Sequence, residues 1–281
     1  MKLDITAVMV KQLRDRTGAG MMDCKKVLVE CDGDQDKAVE ILRKKGAEMA
    51  ASRSGRTASE GLIVCAMSES RDCGSLVEIN CETDFVSRGD VFRGFAGPLA
   101  GIALGIGDNC EDVNVLNTLP FDESGKTVEE MRLDVLSKIR ENITISRVVT
   151  FRASDNAIIG SYVHRERLGI MVEIAGDAGS DVADDIAVHI AVKKPLWLDV
   201  ADIPSATIEK EREIYLEQAR GSGKPDHILE RIVEGKISKF SKENTLVNQP
   251  YYEDEDKTVE SLLKESDGVA KRFCLINLGQ G

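Results

Sequence analysis

Gly74-Ser75-Leu76-Val77-Glu78-Ile79 is nearly repeated as Gly169-Ile170-Met171-Val172-Glu173-Ile174. Each copy follows another strand candidate across a short charged loop: Leu62 to Met67 before the first, Ile158 to Val163 before the second. Each is followed by an amphipathic helix. The first carries Val91, Phe95, Leu99 and Ile102 on one stripe; the second carries Val182, Ile186 and Ile190. Hairpin then helix, twice over, predicts two related halves sharing a core. A six-residue match is weak alone, and the shared order of elements gives it weight.

Upstream of the repeat, the first fifty-five residues predict three short helices. Ile5 to Arg16 closes at Thr17-Gly18-Ala19-Gly20. Asp23 is placed to cap a second helix with Val27 and Leu28. Asp34, after the break at Gly33, is placed to cap a third with Ala38, Ile41 and Leu42. Gly46 is expected to end or bend that helix. Ala51-Ser52-Arg53-Ser54-Gly55-Arg56-Thr57 is small, polar and basic, the composition of a flexible linker.

Downstream, the stretch from about 180 to 234 is helical and charged, broken by Pro195, Pro204 and Gly221-Ser222-Gly223-Lys224-Pro225. Ile228, Leu229, Ile232, Val233, Ile237 and Phe240 then form an apolar stripe. An inserted helical hairpin is expected, its apolar edge covered by a partner such as another subunit. Arg272 to Leu278 alternates and is expected to return as a strand. The predicted fold class is α+β with small antiparallel sheets. Its expected divisions are a three-helix module at 1–55, a first subdomain at 56–146, and a second at 147–281 with an insertion at about 180–234.

Composition narrows the function. The 281 residues include 37 basic and 49 acidic side chains, a net charge of -12, which argues against a nucleic-acid partner held through its phosphates. Aromatics at 4% make no base-stacking platform. Hydrophobic residues at 42% suit a globular chain rather than a disordered one. The longest uncharged apolar stretch, Gly94 to Gly107, is too short to span a membrane and contains Pro98, so no membrane partner is expected. Met1-Lys2-Leu3-Asp4 opens no secretory signal. The seven cysteines (24, 31, 65, 73, 81, 110 and 274) form no CxxC and suit a reducing cytoplasm.

Motifs for chemistry are lacking. Gly221-Ser222-Gly223-Lys224 is no phosphate loop: Gln218 stands where the first glycine belongs, and Pro225 where a Ser or Thr hydroxyl is needed. Gly101, Gly105 and Gly107 make no GxGxxG. His189 shares helical spacing with Asp185 and Lys193 and is expected on a solvated face; His227 lies beside a turn. His164, between two strands and next to Arg165, is the histidine placed to touch a partner. No HExxH, Cys/His ligand spacing or GxSxG occurs, so no metal, cofactor or covalent catalysis is expected.

Cys81-Glu82-Thr83-Asp84-Phe85-Val86 stands apart. Thr-Asp is good turn chemistry, and it puts a large apolar side chain at a strand-to-helix corner. On these residues alone Phe85 is expected to fold back as a staple on the next helix; the sharper alternative is that it stands out as an aromatic anchor for a partner.

Longer stretches carry a resemblance. Leu13-Arg14-Asp15-Arg16-Thr17-Gly18-Ala19-Gly20-Met21-Met22-Asp23-Cys24-Lys25-Lys26-Val27-Leu28 resembles the opening motif of bacterial elongation factor Ts, and Glu78-Ile79-Asn80-Cys81-Glu82-Thr83-Asp84-Phe85-Val86-Ser87-Arg88 its second motif. Gly160-Ser161-Tyr162-Val163-His164, Ser222-Gly223-Lys224-Pro225, Ile232-Val233-Glu234-Gly235-Lys236 and Asn248-Gln249-Pro250 are similar to further family text. The likeness runs from residue 5 to about 278.

That resemblance implies a guanine-nucleotide exchange factor for elongation factor Tu, with no covalent step and no nucleotide site of its own. The three opening helices would be a ubiquitin-associated-like module docking on Tu, with Arg14, Met21 and Met22 at or near the contact. Thr83, Asp84, Phe85 and Val86 match the segment held to dislodge magnesium, Phe85 as the wedge, and His164 matches another Tu-touching position. The inserted hairpin corresponds to the family's dimerisation region, which implies a homodimer or a two-to-two complex. This chain departs from the family at Pro98, inside the helix after the wedge turn, and at Arg140-Glu141-Asn142-Ile143, where the family has Gly-Glu-Asn-Ile. It also has Ser146 before Arg147 where two basic residues are usual. The alternatives are an adaptor or scaffold built on the first module, without exchange activity, and a small-molecule enzyme with its site between the halves.

Overall fold

The computed structural model describes residues 4–107, 109–123, 125–220 and 225–280. Three helices come first. α1 (Ala7–Thr17) begins where Thr6 Oγ1 accepts the Met9 amide and ends at Gly18, whose φ of 67° gives the left-handed turn that a side chain resists. α2 (Met21–Glu30) starts from Gly20. Asp23, expected as its cap, lies inside the first turn instead, where a carboxylate still suits the positive helix end. α3 (Gln35–Arg53) is capped by Asp34, whose carboxylate accepts the Asp36 and Lys37 amides. Leu13, Cys24, Val27, Leu28 and Ala38 are the buried centre of this bundle.

Gly46 does not end α3, which runs through it to Arg53. Glycine stands there because a β-carbon would lie 2.9 Å from Ser137 Oγ. Most of the supposed linker is therefore accounted for. It is helix to Arg53; Arg53 and Arg56 reach Glu82 at 3.6 and 3.3 Å, and Asn142 Nδ2 donates to the Arg56 carbonyl. Charges that look free in the sequence are partnered in the fold.

β1 (Glu60–Met67) and β2 (Cys73–Cys81) form the first hairpin. After it come α4 (Asp84–Ser87), α5 (Asp90–Leu104), α6 (Val113–Thr118) and α7 (Val128–Ile139), then β3 (Ile143–Arg152). The second hairpin is β4 (Ala157–His164) and β5 (Leu168–Gly176), followed by α8 (Ser180–Lys193). α9 (Ser205–Arg220), α10 (Asp226–Asn244) and α11 (Val259–Glu265) lead to the closing strand β6 (Gly268–Asn277). The sheets are antiparallel, ordered β1-β2-β3 and β4-β5-β6. The fold is α+β, and the two repeat copies are the central strands.

The repeated residues explain why the halves share a core. Gly74, Leu76 and Glu78 face the second sheet; Gly169, Met171 and Glu173 face the first, as a period of two requires. A β-carbon on Gly74 would stand 2.9 Å from Met171 Sδ, and one on Gly169 the same distance from Leu76 Cδ2. Each glycine makes room for the other copy's large side chain. Ile63, Val149, Phe151, Ile159, Ile276 and Leu278 are buried in the same layer, which fills the space between the sheets. Both central strands slip register just after the glutamate, between Glu78 and Ile79 and between Glu173 and Ile174.

Those glutamates are buried and paired across their own sheet. Glu78 Oε2 accepts Arg147 Nε at 2.6 Å, and Glu173 Oε2 accepts Arg272 Nε at 2.6 Å. Each arginine also donates to the opposite sheet, Arg147 to the Asn277 carbonyl and Arg272 to the Arg152 carbonyl. A buried carboxylate is tolerable only with such partners.

The outer faces carry the helices. α5 presents Phe92, Phe95 and Leu99 to the first sheet, with Ile102 partly buried beside them; of the expected stripe only Val91 is exposed, and Phe92 takes its place. Pro98 lies on the solvent side of an unbroken α5, where water can reach the carbonyl its ring leaves unbonded. α8 buries Ile186 and Ile190 as expected. His189, by contrast, is fully buried: Nε2 meets Gln249 Oε1 at 2.9 Å and its ring stacks on Tyr251. The polar side of α8 is roofed by the segment returning from the hairpin, which spacing along one helix could not reveal.

In that hairpin, Leu229, Val233 and Ile237 of α10 pack on Ile208, Tyr215 and Leu216 of α9. The stripe is covered within the chain, leaving Ile228 exposed. Gly221-Ser222-Gly223-Lys224 lies outside the described residues. Among the described residues no helix is long and apolar enough to cross a membrane.

Candidate functional site

β2 ends at Cys81, and the chain turns through Glu82 and Thr83 into the single turn of α4. Thr83 is its cap, with Oγ1 accepting the Val86 amide at 3.4 Å. The same residue is gripped from outside: Glu141 accepts its amide at 3.0 Å and its hydroxyl at 2.8 Å. The Cys81 thiol donates to the Thr83 carbonyl at 3.1 Å. Burial, and then Glu141, pushes that thiol up to about 12, so it keeps the proton it donates. Glu82 is held below the usual carboxylate range, chiefly by the Asn142 amide at 2.6 Å and further by Arg56.

On this braced turn the four expected residues divide. Thr83 fastens it, and half-buried Val86 packs into the first core. Asp84 stays exposed and pairs with Arg88 at 2.9 Å. Phe85 is 88% exposed and does not staple to α5, whose core is filled by Phe92 and Phe95. A phenylalanine leaving so much apolar surface in water is costly in isolation, at roughly 25 cal/mol per Å². The ring is thus free to meet another molecule without any rearrangement of the core beneath it.

His164 ends β4, exposed, with Nδ1 3.0 Å from the Tyr162 hydroxyl. Arg165 and Glu166 follow in left-handed backbone at φ 50° and 58°, a two-residue reversal. The tip is tied to the first half. Glu166 takes both terminal nitrogens of Arg93 on α5, its carbonyl accepts the Ile63 amide at 2.8 Å, and Arg167 reaches Glu60 at 2.9 Å. One residue of α5, Arg93, thus connects the helix that follows the Phe85 turn to the loop that carries His164.

Arg14, Met21 and Met22 gather on the module instead. With Ile5, Val10 and Lys25 they line a groove of about 490 Å³. Met22 is 77% and Met21 55% exposed. Both flexible thioethers stand on the first turn of α2.

A family model described as "Elongation factor TS" matches residues 82–280. Proteins named elongation factor Ts are similar over nearly the whole chain. That of Alkalilimnicola ehrlichii is 45% identical over 277 residues, covering 99% of this chain and 93% of the relative. That of Methylococcus capsulatus is 44% identical over 281 residues, covering 99% and 94%. That of Clostridium perfringens is 44% identical over 266 residues, covering 93% and 86%. The chain belongs to the elongation factor Ts family.

Its role is thus in translation elongation. Glu82 stands within the turn motif, and Arg140, Glu141 and Asn142 at a departure from the family, but no sequence signal gives any of them the bracing contacts they make here. Glu141 lies 58 positions from Thr83, and nothing local in the sequence joins them.

Proposed function

We propose that the chain binds elongation factor Tu in its GDP form and promotes GDP release until GTP binds, by displacing magnesium and loosening the phosphate site. The observation that carries this is Phe85, exposed on a turn held by Glu141, Cys81 and Glu82. Tight GDP binding rests on a phosphate-cradling loop and a magnesium ion bridging phosphate and protein. A rigid wedge that fits only the loosened state couples negatively to GDP, and the coupling is reciprocal. Each tenfold loss of GDP affinity requires about 1.4 kcal/mol of differential binding. A large effect therefore needs an extended interface around the anchor, which Met21, Met22 and Arg14 on one side and His164 on the other would supply.

In this reading residues 1–55 are the docking module, 56–146 the subdomain with the wedge, and 147–281 the subdomain with His164 and the inserted helical region at about 180–234. A homodimer or two-to-two assembly with Tu would use that hairpin. Release of a fluorescent GDP analogue from elongation factor Tu, with and without the chain, tests the activity. Accelerated release that saturates with factor is expected; an unchanged rate removes the exchange reading and leaves the adaptor.

A further inference from the structure

Arg140, Glu141 and Asn142 are consecutive, and each reaches a different element. Arg140 Nη2 donates to Asp23 Oδ2 at 2.9 Å on α2, one residue from Met22. Glu141 takes the amide and hydroxyl of Thr83. Asn142 gives its amide to Glu82 and its side-chain nitrogen to the Arg56 carbonyl at 2.9 Å. The corner has a firm base, since Leu136 of α7 is in the first core and Ser137 lies against Gly46 of α3. Arg43 of α3 also pairs with Glu130 of α7. Arg140 itself holds φ at 63°, a conformation glycine adopts freely and arginine does not.

We propose that Arg140-Glu141-Asn142 is a positioning bracket: it fixes the Met21–Met22 edge and the Phe85 turn in one relative placement, so that both engage the partner at once. This role rests on the exchange reading above. A second contact made from a fixed distance acts through effective concentration, so loosening the module raises the amount of factor needed. Loosening the turn misplaces the wedge within an already formed complex, which lowers the maximal rate. The two ends of the bracket therefore separate in kinetics. Arg140 acts through Asp23, a half-exposed ion pair, so its effect is modest.

The test uses the full chain, fluorescent GDP release over a range of factor concentrations, and amide hydrogen exchange on the free protein. Arg140→Gly is expected to raise the half-saturating concentration about two- to fivefold with the maximal rate kept. Its melting temperature should not fall, because glycine suits φ 63°. Arg140→Asp joined to Asp23→Arg should recover most of that loss. Glu141→Ala is expected to lower the maximal rate about tenfold and to deprotect the amides of Thr83 and Val86. Unchanged amide protection in both variants overturns the bracket, whatever the release assay gives. Changed protection with unchanged release curves overturns its role in exchange. If the intact chain does not accelerate release, the exchange reading fails first, and amide protection still decides whether the corner holds the turn.

Discussion

Leu76 fills the space that Gly169 leaves open: its Cδ2 lies 2.9 Å from where a β-carbon on that glycine would stand. The reciprocal fit of Met171 beside Gly74 makes the joint between the halves a two-point lock. Gly169→Ala is therefore expected to overpack the layer at a cost of about 1–3 kcal/mol. Leu76 Cδ2 obstructs alongside Ile63 Cγ2, so trimming Leu76 to Val should recover part of that loss in the double variant, with the Ile63 contact left in place. Thermal melts of the single and double variants check this; strict additivity would contradict the fit.

The joint has a second layer in the glutamates. Glu78 is 1% exposed and satisfies Arg147, Asn80 and the Gly279 amide. Glu78→Ala leaves Arg147 without its carboxylate and is expected to cost about 3–5 kcal/mol. Glu78→Gln keeps the shape but not the charge and should cost less. Denaturant midpoints rank the two.

Stability should rise as pH climbs toward the ordinary histidine value near 6.5. His189 is held below the ordinary histidine value by burial first and by Lys193 as well, against an opposing bond to Gln249. The unfolded chain takes up its proton near pH 6.5, before the folded chain does, so the stabilisation is complete above that value and drains away as pH falls. His189→Gln should flatten this part of the stability curve. An equally steep curve in the variant would place the dependence elsewhere.

Met22 has little to pack against within the chain, so Met22→Ala should leave the melting temperature within about 1 °C. If the groove is a contact, the half-saturating concentration for GDP release should rise about fivefold, the loss expected of a peripheral apolar contact worth roughly 1 kcal/mol. Titrations at fixed elongation factor Tu give the answer.

Much of this was legible in the sequence where the signal is local and periodic. The repeat located both central strands, because alternation and element order survive without knowledge of the fold. Asp34 was read correctly as a cap, since a cap acts within three residues. What escaped depends on elements far apart. His189 looked solvated from the charges along α8, while the tyrosines that bury it come from beyond the hairpin. The segment around Arg53 and Arg56 looked free because Glu82 lies on another element. From the turn alone, Phe85 is better drawn as a staple than as an anchor, and its 88% exposure overturns that reading. The fold decides it: Phe92, Phe95 and Val86 pack into the first core while Phe85 stays outside.

The account turns on that ring. The direct measurement is release of fluorescent GDP from elongation factor Tu with intact chain and with Phe85→Ala, alongside thermal melts of both. Phe85 is so exposed that the variant should melt within about 1 °C of the intact chain, yet lose at least tenfold of the stimulated release rate. A variant that is folded and fully active would contradict the wedge and move the work of exchange to the other contacts.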